Sequence, residues 1–458
     1  MPVNITKELL LKYEKPGPRY TSYPTAPEWS PDVTEAIYQD KLTDFNLTDK
    51  SLSLYLHIPF CRTLCSFCGC NVIIRPHDEK HGDQYIDYLL RELELVEQWI
   101  GRRRKIKQLH WGGGTPTFLT EAQIERLFKR FADVFDIEYD GEIAIEIDPR
   151  TIDKSKVAKL RQLGFNRVSM GIQDFDAQVQ ENVNRRQPFA IVKEFYDWCR
   201  ELKFNSVNFD LIYGLPYQTP ETMRKTVEQV IGLRPDRIAF YSFAYVPWLK
   251  AHQSRIDETK LPSSDQKIEI FLTSREQFLN GGYESIAMDH FALSDDELAK
   301  SFRAGTLYRN FMGYTVKPAD EYIGMGLSSI GFLENCYFQN HKTLPDYFAA
   351  LNRNEIPIER GKILSEDDII RRWVINSLMC RFKVDKNVFS EQFDKKFDSY
   401  FQEETEHLKQ CVSDGLVAIN GNIIRATELG KIFIRNVCMG FDWYLRQADG
   451  HKRFSKTI

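Results

Sequence analysis

The 458-residue chain lacks the features that would tie it to a membrane, a nucleic acid or an oxidising compartment. Nowhere do about 18 apolar residues run together, so no membrane-spanning helix is expected. The opening Met1-Pro-Val-Asn-Ile-Thr-Lys-Glu8 holds no apolar stretch of a secretory signal, and a soluble, cytoplasmic protein is expected. Lys and Arg number 61 against 65 Asp and Glu, a net charge of −4, which offers no basic field to a nucleic-acid backbone. No short-period repeat or low-complexity tract is present. Cysteine is scarce at nine residues. Five of these, Cys199, Cys336, Cys380, Cys411 and Cys438, are scattered, as small buried hydrophobes are.

The other four fall within Cys61-Arg-Thr-Leu-Cys65-Ser-Phe-Cys68-Gly-Cys70. The first three follow C-x3-C-x2-C, a spacing that lets three thiolates hold three irons of a cubane [4Fe–4S] cluster from one loop. Structural zinc sites usually pair C-x2-C units far apart, and no second such cysteine unit exists here. Disulfides are not expected in a large chain without a signal peptide. The spacing leaves Cys70 open: it could close the cluster as a fourth ligand, or stand apart and leave one iron free.

A strand–helix rhythm surrounds this loop. Short apolar strands are expected over 53–59, 106–112, 142–148, 167–173, 207–213 and 237–245, with a seventh over 283–290. Helices are expected over 83–100 and 122–135, where Ile, Leu and Phe recur at helical spacing, and another opens at Thr219-Pro220-Glu221. The expected fold is α/β: a partial (β/α)6 TIM-like barrel with an N-terminal arm and a mostly helical C-terminal domain. The expected division is an arm or lid over 1–48, the barrel over 49–290, a barrel-edge and connecting segment over 291–360, and the C-terminal domain over 361–458. In that last part Ser365-Glu-Asp-Asp368 reads as a helix start and 416–425 as a small hairpin around Asn420-Gly421. Its mixed charge favours covering the barrel mouth over binding nucleic acid.

In such a barrel the chemistry sits at the carboxyl ends of the strands. The second strand ends in Trp111-Gly-Gly-Gly-Thr-Pro116, which is either a tight turn or a cradle that lets backbone approach a ligand. On the third, Glu146 and Asp148 share a face, suited to ribose hydroxyls or an amine, or left as solvated rim charges. The fourth ends at Gln173. Asp210, inside the apolar fifth strand, needs a partner, and Arg185 is one possible counter-ion. Arg102-Arg-Arg-Lys105 reads as a solvated loop at the opposite face. His57 and His110 read equally as core or functional residues, and His290 as a site candidate if its strand joins the barrel.

Taken together, the cysteine motif, the glycine-rich strand end, the Glu strand and Asn208-Phe-Asp-Leu-Ile-Tyr-Gly-Leu-Pro216 resemble the radical S-adenosylmethionine superfamily. Pro18-Arg-Tyr-Thr-Ser-Tyr-Pro24, Cys68-Gly-Cys70, Met288-Asp-His-Phe-Ala292 and Cys438-Met-Gly-Phe-Asp442 narrow the resemblance to the oxygen-independent coproporphyrinogen III oxidases, over nearly the whole chain. That resemblance implies that Cys61, Cys65 and Cys68 ligate a [4Fe–4S] cluster and Cys70 does not. It implies two molecules of S-adenosyl-L-methionine. Tyr55, Gly113, Glu146 and Ile330 match the first site, and Phe67, Gly114, Thr115, Gln173, Arg185, Asp210 and Ala244 the second; Tyr55 and Glu146 are assigned a catalytic part. The implied reaction converts the ring A and B propionates of coproporphyrinogen III to vinyl groups through a 5′-deoxyadenosyl radical, in haem biosynthesis. A monomer fed by a reduced flavodoxin- or ferredoxin-type donor is implied. Arg19, Tyr20 and Tyr23 are either a lid or a packed arm. Met312 departs from the glutamine of many relatives and cannot donate a hydrogen bond. The alternatives are a haem chaperone, against which the arm and the fourth cysteine argue, or another radical enzyme acting on tetrapyrroles.

Overall fold

A computed structural model describes residues 5–101, 103–319, 321–447 and 454–457. Six parallel strands form its centre: β1 (Leu52–Ile58), β2 (Lys105–Gly113), β3 (Asp136–Ile147), β4 (Arg167–Gln173), β5 (Ser206–Tyr213) and β6 (Arg237–Ser242). Helices α1 (Glu79–Ile100), α2 (Glu121–Val134), α3 (Lys154–Leu163), α4 (Phe189–Glu201) and α5 (Pro220–Leu233) connect them in turn. The α5 start is a capping box: Thr219 and Thr222 satisfy each other's backbone amides.

Period-two alternation decides which face each side chain takes. Leu109 and Trp111, Ile143 and Ile145, Val168 and Met170, Val207 and Phe209 are all buried in the layer shared with the helices. Their neighbours Gln108 and His110, Glu142 and Glu146, Arg167 and Ser169, Asn208 and Asp210 line an inner cavity of about 150 Å3. The barrel interior is therefore polar, and its lower layer is held by charge. Glu142 lies 3.4 Å from Arg167 and 3.9 Å from Arg237, which also pairs with Asp296 at 2.8 Å.

Two of the expected strands need correction. The segment over 283–290 is not one strand. It splits into β7 (Tyr283–Ile286) and β8 (His290–Leu293), with Ala287 in the left-handed region at the reversal, and β8 joins β6 antiparallel. The sixth strand stops at Ser242, short of 245, and the chain leaves the sheet there. Beyond the six strands, β9 (Glu321–Met325) adds to β1 in parallel, and β10 (Ile330–Leu333), β11 (Cys336–Asn340) and β12 (Ile358–Ile363) follow antiparallel, making one open sheet of twelve.

The C-terminal part begins with α6 (Glu366–Arg381), capped by Ser365 on the Asp368 amide. The expected hairpin pairs Asn420 with Ile423, so its turn is Gly421-Asn422, with Gly421 at φ 58°, and Lys383–Asp385 adds a third strand. This part grips the N-terminal arm. Arg435 donates to the Pro18 carbonyl at 2.8 Å, Tyr20 donates to Asp442 at 3.0 Å, and the Trp443 amide donates to the Tyr23 hydroxyl at 3.1 Å. Tyr20 and Tyr23 are buried packing residues, and only Arg19 reaches the barrel mouth.

Within the basic run, Arg102 lies outside the described residues. Arg104 is not solvated: it is buried, stacks 4.3 Å from the Phe45 ring centroid, and donates to the Thr48 and Phe45 carbonyls at 2.6 Å each. Arg104→Ala takes a donor from both carbonyls, leaves that of Phe45 with only the Thr48 amide and hydroxyl, and opens a hole, and is expected to lower unfolding free energy by about 2–3 kcal/mol. Urea denaturation checks this; a loss below about 0.5 kcal/mol would mean the contact is solvated after all.

Candidate active site

At the carboxyl ends of the six strands lies a cavity of about 590 Å3. Cys61, Cys65, Cys68 and Cys70 all line it, as do Phe67, Gly113, Gly114, Thr115, Glu146, Gln173, Arg185, Asp210 and Ala244. Of the candidate residues, Tyr55 and Ile330 do not. Tyr55 lies inside the barrel, stacked on His110, and Ile330 sits on β10 with its backbone against Gly324, the register partner of Tyr55.

Backbone contacts fix the cysteine loop. Phe60 and Cys61 pair with Ile73 and Ile74, and the Ser66 amide donates to the Val183 carbonyl at 3.0 Å. The Gly114 amide donates to the Ile58 carbonyl at 2.8 Å. Behind the loop, His57 bridges Tyr55 and Asn71: its Nδ1 lies 3.0 Å from the Tyr55 hydroxyl and its Nε2 3.0 Å from the Asn71 carbonyl. A neutral ring, proton on Nε2, satisfies both contacts, and burial favours that form by lowering its pKa.

The glycines at the end of β2 are required by space. A Cβ on Gly113, at φ 114°, would meet the His57 ring at 2.7 Å, and one on Gly114 would meet the Pro59 carbonyl oxygen at 2.5 Å. A Cβ on Gly112 would meet the Glu146 carboxylate at 2.9 Å. With no side chains in the way, the Gly113 amide donates to Glu146 at 3.1 Å, and His110 Nε2 lies 3.3 Å from its other oxygen. Burial opposes the charge on Glu146, yet His110 and the Gly113 amide hold its pKa below the usual range.

Two further carboxylates are driven apart. Burial would raise Asp148, but Arg185 and Arg150 hold it at about 2. Burial lifts Asp210 up to about 6, despite hydrogen bonds of 2.9 Å each from Ser169 and Asn208. Arg185 is therefore not the counter-ion of Asp210. It pairs with Asp148 at 3.4 Å, donates to the Gly171 carbonyl at 2.6 Å and approaches the Cys65 sulfur at 3.7 Å. Sequence reasoning missed Arg150, although its place two residues after Asp148 was a usable signal. It also missed the Asp289 pair with Arg19 at 2.9 Å, which joins the arm to the strand end beside His290.

The donor set fits an iron–sulfur cluster with a polar organic cofactor. Four thiols line one cavity beside a glycine cradle, and the buried Arg185 Nε has no protein partner. Among the described residues no group of three His, Cys, Asp or Glu side chains is arranged for a single metal ion; a cubane, which gives each thiolate its own iron, asks for no such arrangement.

Comparisons agree with this chemistry. Residues 55–230 match the radical SAM superfamily, and residues 364–433 match the HemN C-terminal domain. The chain is 45% identical to the oxygen-independent coproporphyrinogen III oxidase of Synechocystis sp., over 100% of this chain and 98% of that one. The chain belongs to the oxygen-independent coproporphyrinogen III oxidase family. The Escherichia coli relative of the same name is 44% identical over 98% of each chain. The solved structure of the E. coli coproporphyrinogen III oxidase, described as a radical SAM enzyme, superposes with a TM-score of 0.91 at 42% identity, covering 97% of this chain and 100% of that one. As a member of this oxidase family within the radical SAM superfamily, the chain uses a [4Fe–4S] cluster and S-adenosylmethionine.

The raised pKa of Asp210 has a measurable sign. Below about 4 both folded and unfolded states hold the proton. As pH rises toward 6 the unfolded chain releases it first, so folding stability falls, by about 3 kcal/mol for a displacement from 3.8 to about 6. The stability of the parent relative to Asp210→Asn is expected to fall by about 1.5 kcal/mol between pH 5 and pH 7. Denaturant unfolding of both proteins at the two pH values checks this; a constant difference would show that Asp210 titrates normally.

Proposed function

We propose that this protein oxidatively decarboxylates the ring A and B propionates of coproporphyrinogen III to vinyl groups without oxygen, giving protoporphyrinogen IX. The observation that carries this reading is the strand-end cavity lined by the four thiols of the cysteine loop and a glycine cradle, in a chain alike along its whole length to enzymes of that name. Cys61, Cys65 and Cys68 would hold the cluster. Bound there with S-adenosylmethionine, it would supply reductive cleavage of the sulfonium and so the oxidising radical that removes hydrogen from a propionate β-carbon.

The chain's own residues bind and orient. Glu146, kept ionised by His110 and the Gly113 amide, suits a ribose hydroxyl or an ammonium group of a first S-adenosylmethionine. The bare backbone at Gly113 admits close approach, while Tyr55 and Ile330 support this side from behind the cavity wall. Phe67, Gly114, Thr115, Gln173, Arg185, Asp210 and Ala244 line the part assigned to a second molecule. Arg185 there offers an unpaired Nε–H to a carboxylate, and Asp210 becomes an anion for an amine above about pH 6. We also assign the protein to the cytoplasm as a monomer, reduced by a flavodoxin- or ferredoxin-type donor; no helix among the described residues is long and apolar enough to cross a membrane.

The decisive experiment is anaerobic reconstitution followed by S-adenosylmethionine, a reductant and coproporphyrinogen III. The expected result is protoporphyrinogen IX with two carbon dioxide released per macrocycle. Stoichiometric haem binding with no vinyl product would instead make the protein a chaperone. A second variant tests the ligand count. Cys70 is the exposed member of the four, and Cys70→Ser is expected to keep its cluster, read as four irons and the charge-transfer absorbance. Each of Cys61→Ala, Cys65→Ala and Cys68→Ala is expected to lose it. Loss of iron in Cys70→Ser would mean that all four thiolates bind.

A further inference from the structure

Immediately after β6 the chain presents two large apolar side chains to solvent, Trp248 at 51% exposure and Leu249 at 64%. The segment that carries them is anchored rather than loose. Lys250 donates to the Cys70 carbonyl at 3.0 Å, and His252 Nε2 lies 2.9 Å from the Cys68 carbonyl. Gln253, fully buried, donates to the Phe67 and Ala244 carbonyls at 3.1 and 3.2 Å and accepts from the Val246 amide at 2.6 Å. The cysteine loop and this rim are thus one body. Exposed apolar side chains on so firm a support mark a surface that is covered in use.

What covers it follows from size and from the cations around the mouth. The cavity of about 590 Å3 must already take the cofactor groups, so a tetrapyrrole can insert a propionate but has to rest its ring at the mouth. Leu249 lines that mouth, next to Trp248 in the chain, together with Lys250 and with Arg19, which lies 5.2 Å from the Tyr241 ring centroid and pairs with Asp289 at 2.9 Å. An apolar ledge beside cations suits a ligand with a flat apolar face and a carboxylate edge.

We propose that Trp248 and Leu249 form the platform for the apolar face of the tetrapyrrole substrate, an inference that rests on the coproporphyrinogen reading above. The platform sets substrate affinity; the cluster and cofactor residues lie beneath it.

The test uses the reconstituted enzyme with dithionite as reductant, so that no protein donor has to dock. Trp248→Ala is expected to raise KM for coproporphyrinogen III about tenfold with a much smaller fall in kcat, as loss of one buried aromatic contact does. Trp248→Phe is expected to recover most of that loss, and Leu249→Ala to shift KM in the same direction by about threefold. An unchanged KM in both alanine variants overturns the platform. So does a defect that appears only when a protein donor replaces dithionite, which would assign the patch to partner docking. Failure of the parent protein itself to make a vinyl product is a different result: it removes the reaction, and the platform with it.

Discussion

Strict alternation along six parallel strands is the constraint on which the rest depends. A strand in an ordinary parallel sheet is apolar on both faces because helices or a packed core cover each. Here only the outer face is apolar, and Trp111, Ile145, Met170 and Phe209 fix it under the helices. A slip of one residue would carry the inner polar set into that layer and leave Trp111 in the barrel. The cost of burying Glu142, Arg167, Asn208, Asp210 and Arg237 is met by pairing them with one another, so the polar interior is a network and not a collection of isolated groups.

The cysteine loop is governed by a different principle. Its geometry is set through carbonyls. Lys250, His252 and Gln253 hold the Cys70, Cys68 and Phe67 carbonyls, Asn184 holds the Leu64 carbonyl at 2.9 Å, and the Val183 carbonyl receives the Ser66 amide. The thiols themselves make few protein contacts, such as that of Cys61 with the Thr115 hydroxyl at 3.3 Å. A loop fixed by its backbone keeps its sulfurs available, which is what a site assembled around an inorganic group needs. It also explains why residues far apart in sequence share one rigid rim.

Much of this was legible in the sequence, and the failures have physical causes. Five of the six barrel strands could be read to their ends because each is a short apolar run closed by glycine, proline or an acid; the sixth runs on into Phe243-Ala-Tyr-Val246 with no such stop and was read too long. The hairpin of β7 and β8 was read as one strand because its reversal at Ala287 carries no glycine or proline. β9 was missed because its partner β1 lies more than 250 residues earlier, and no local pattern encodes a parallel neighbour at that distance. The cysteines, the glycines and Glu146 were found from residue type and spacing. The pairing of Arg185 with Asp148 was not, since charge alone cannot say which of two nearby carboxylates an arginine reaches. Arg104 looked like a solvated cation because burial of a charged side chain depends on carbonyls that composition does not show.

The three carboxylates at the strand ends show why that pairing matters. Glu146 and Asp148 are held ionised by specific donors, whereas Asp210 has only neutral hydrogen-bond partners and is pushed up to about 6. Had Arg185 paired with Asp210, the cavity would contain a neutralised acid at its centre, Asp148 would keep only Arg150, and Cys65 would lose the Arg185 guanidinium. The observed arrangement does the reverse. It places positive charge next to the cysteine sulfurs, where thiolates must form, and leaves Asp210 free to become an anion when a cationic group arrives. One arginine thus separates an electropositive half around the cluster loop from an acidic half around β5, and a zwitterionic cofactor can meet both.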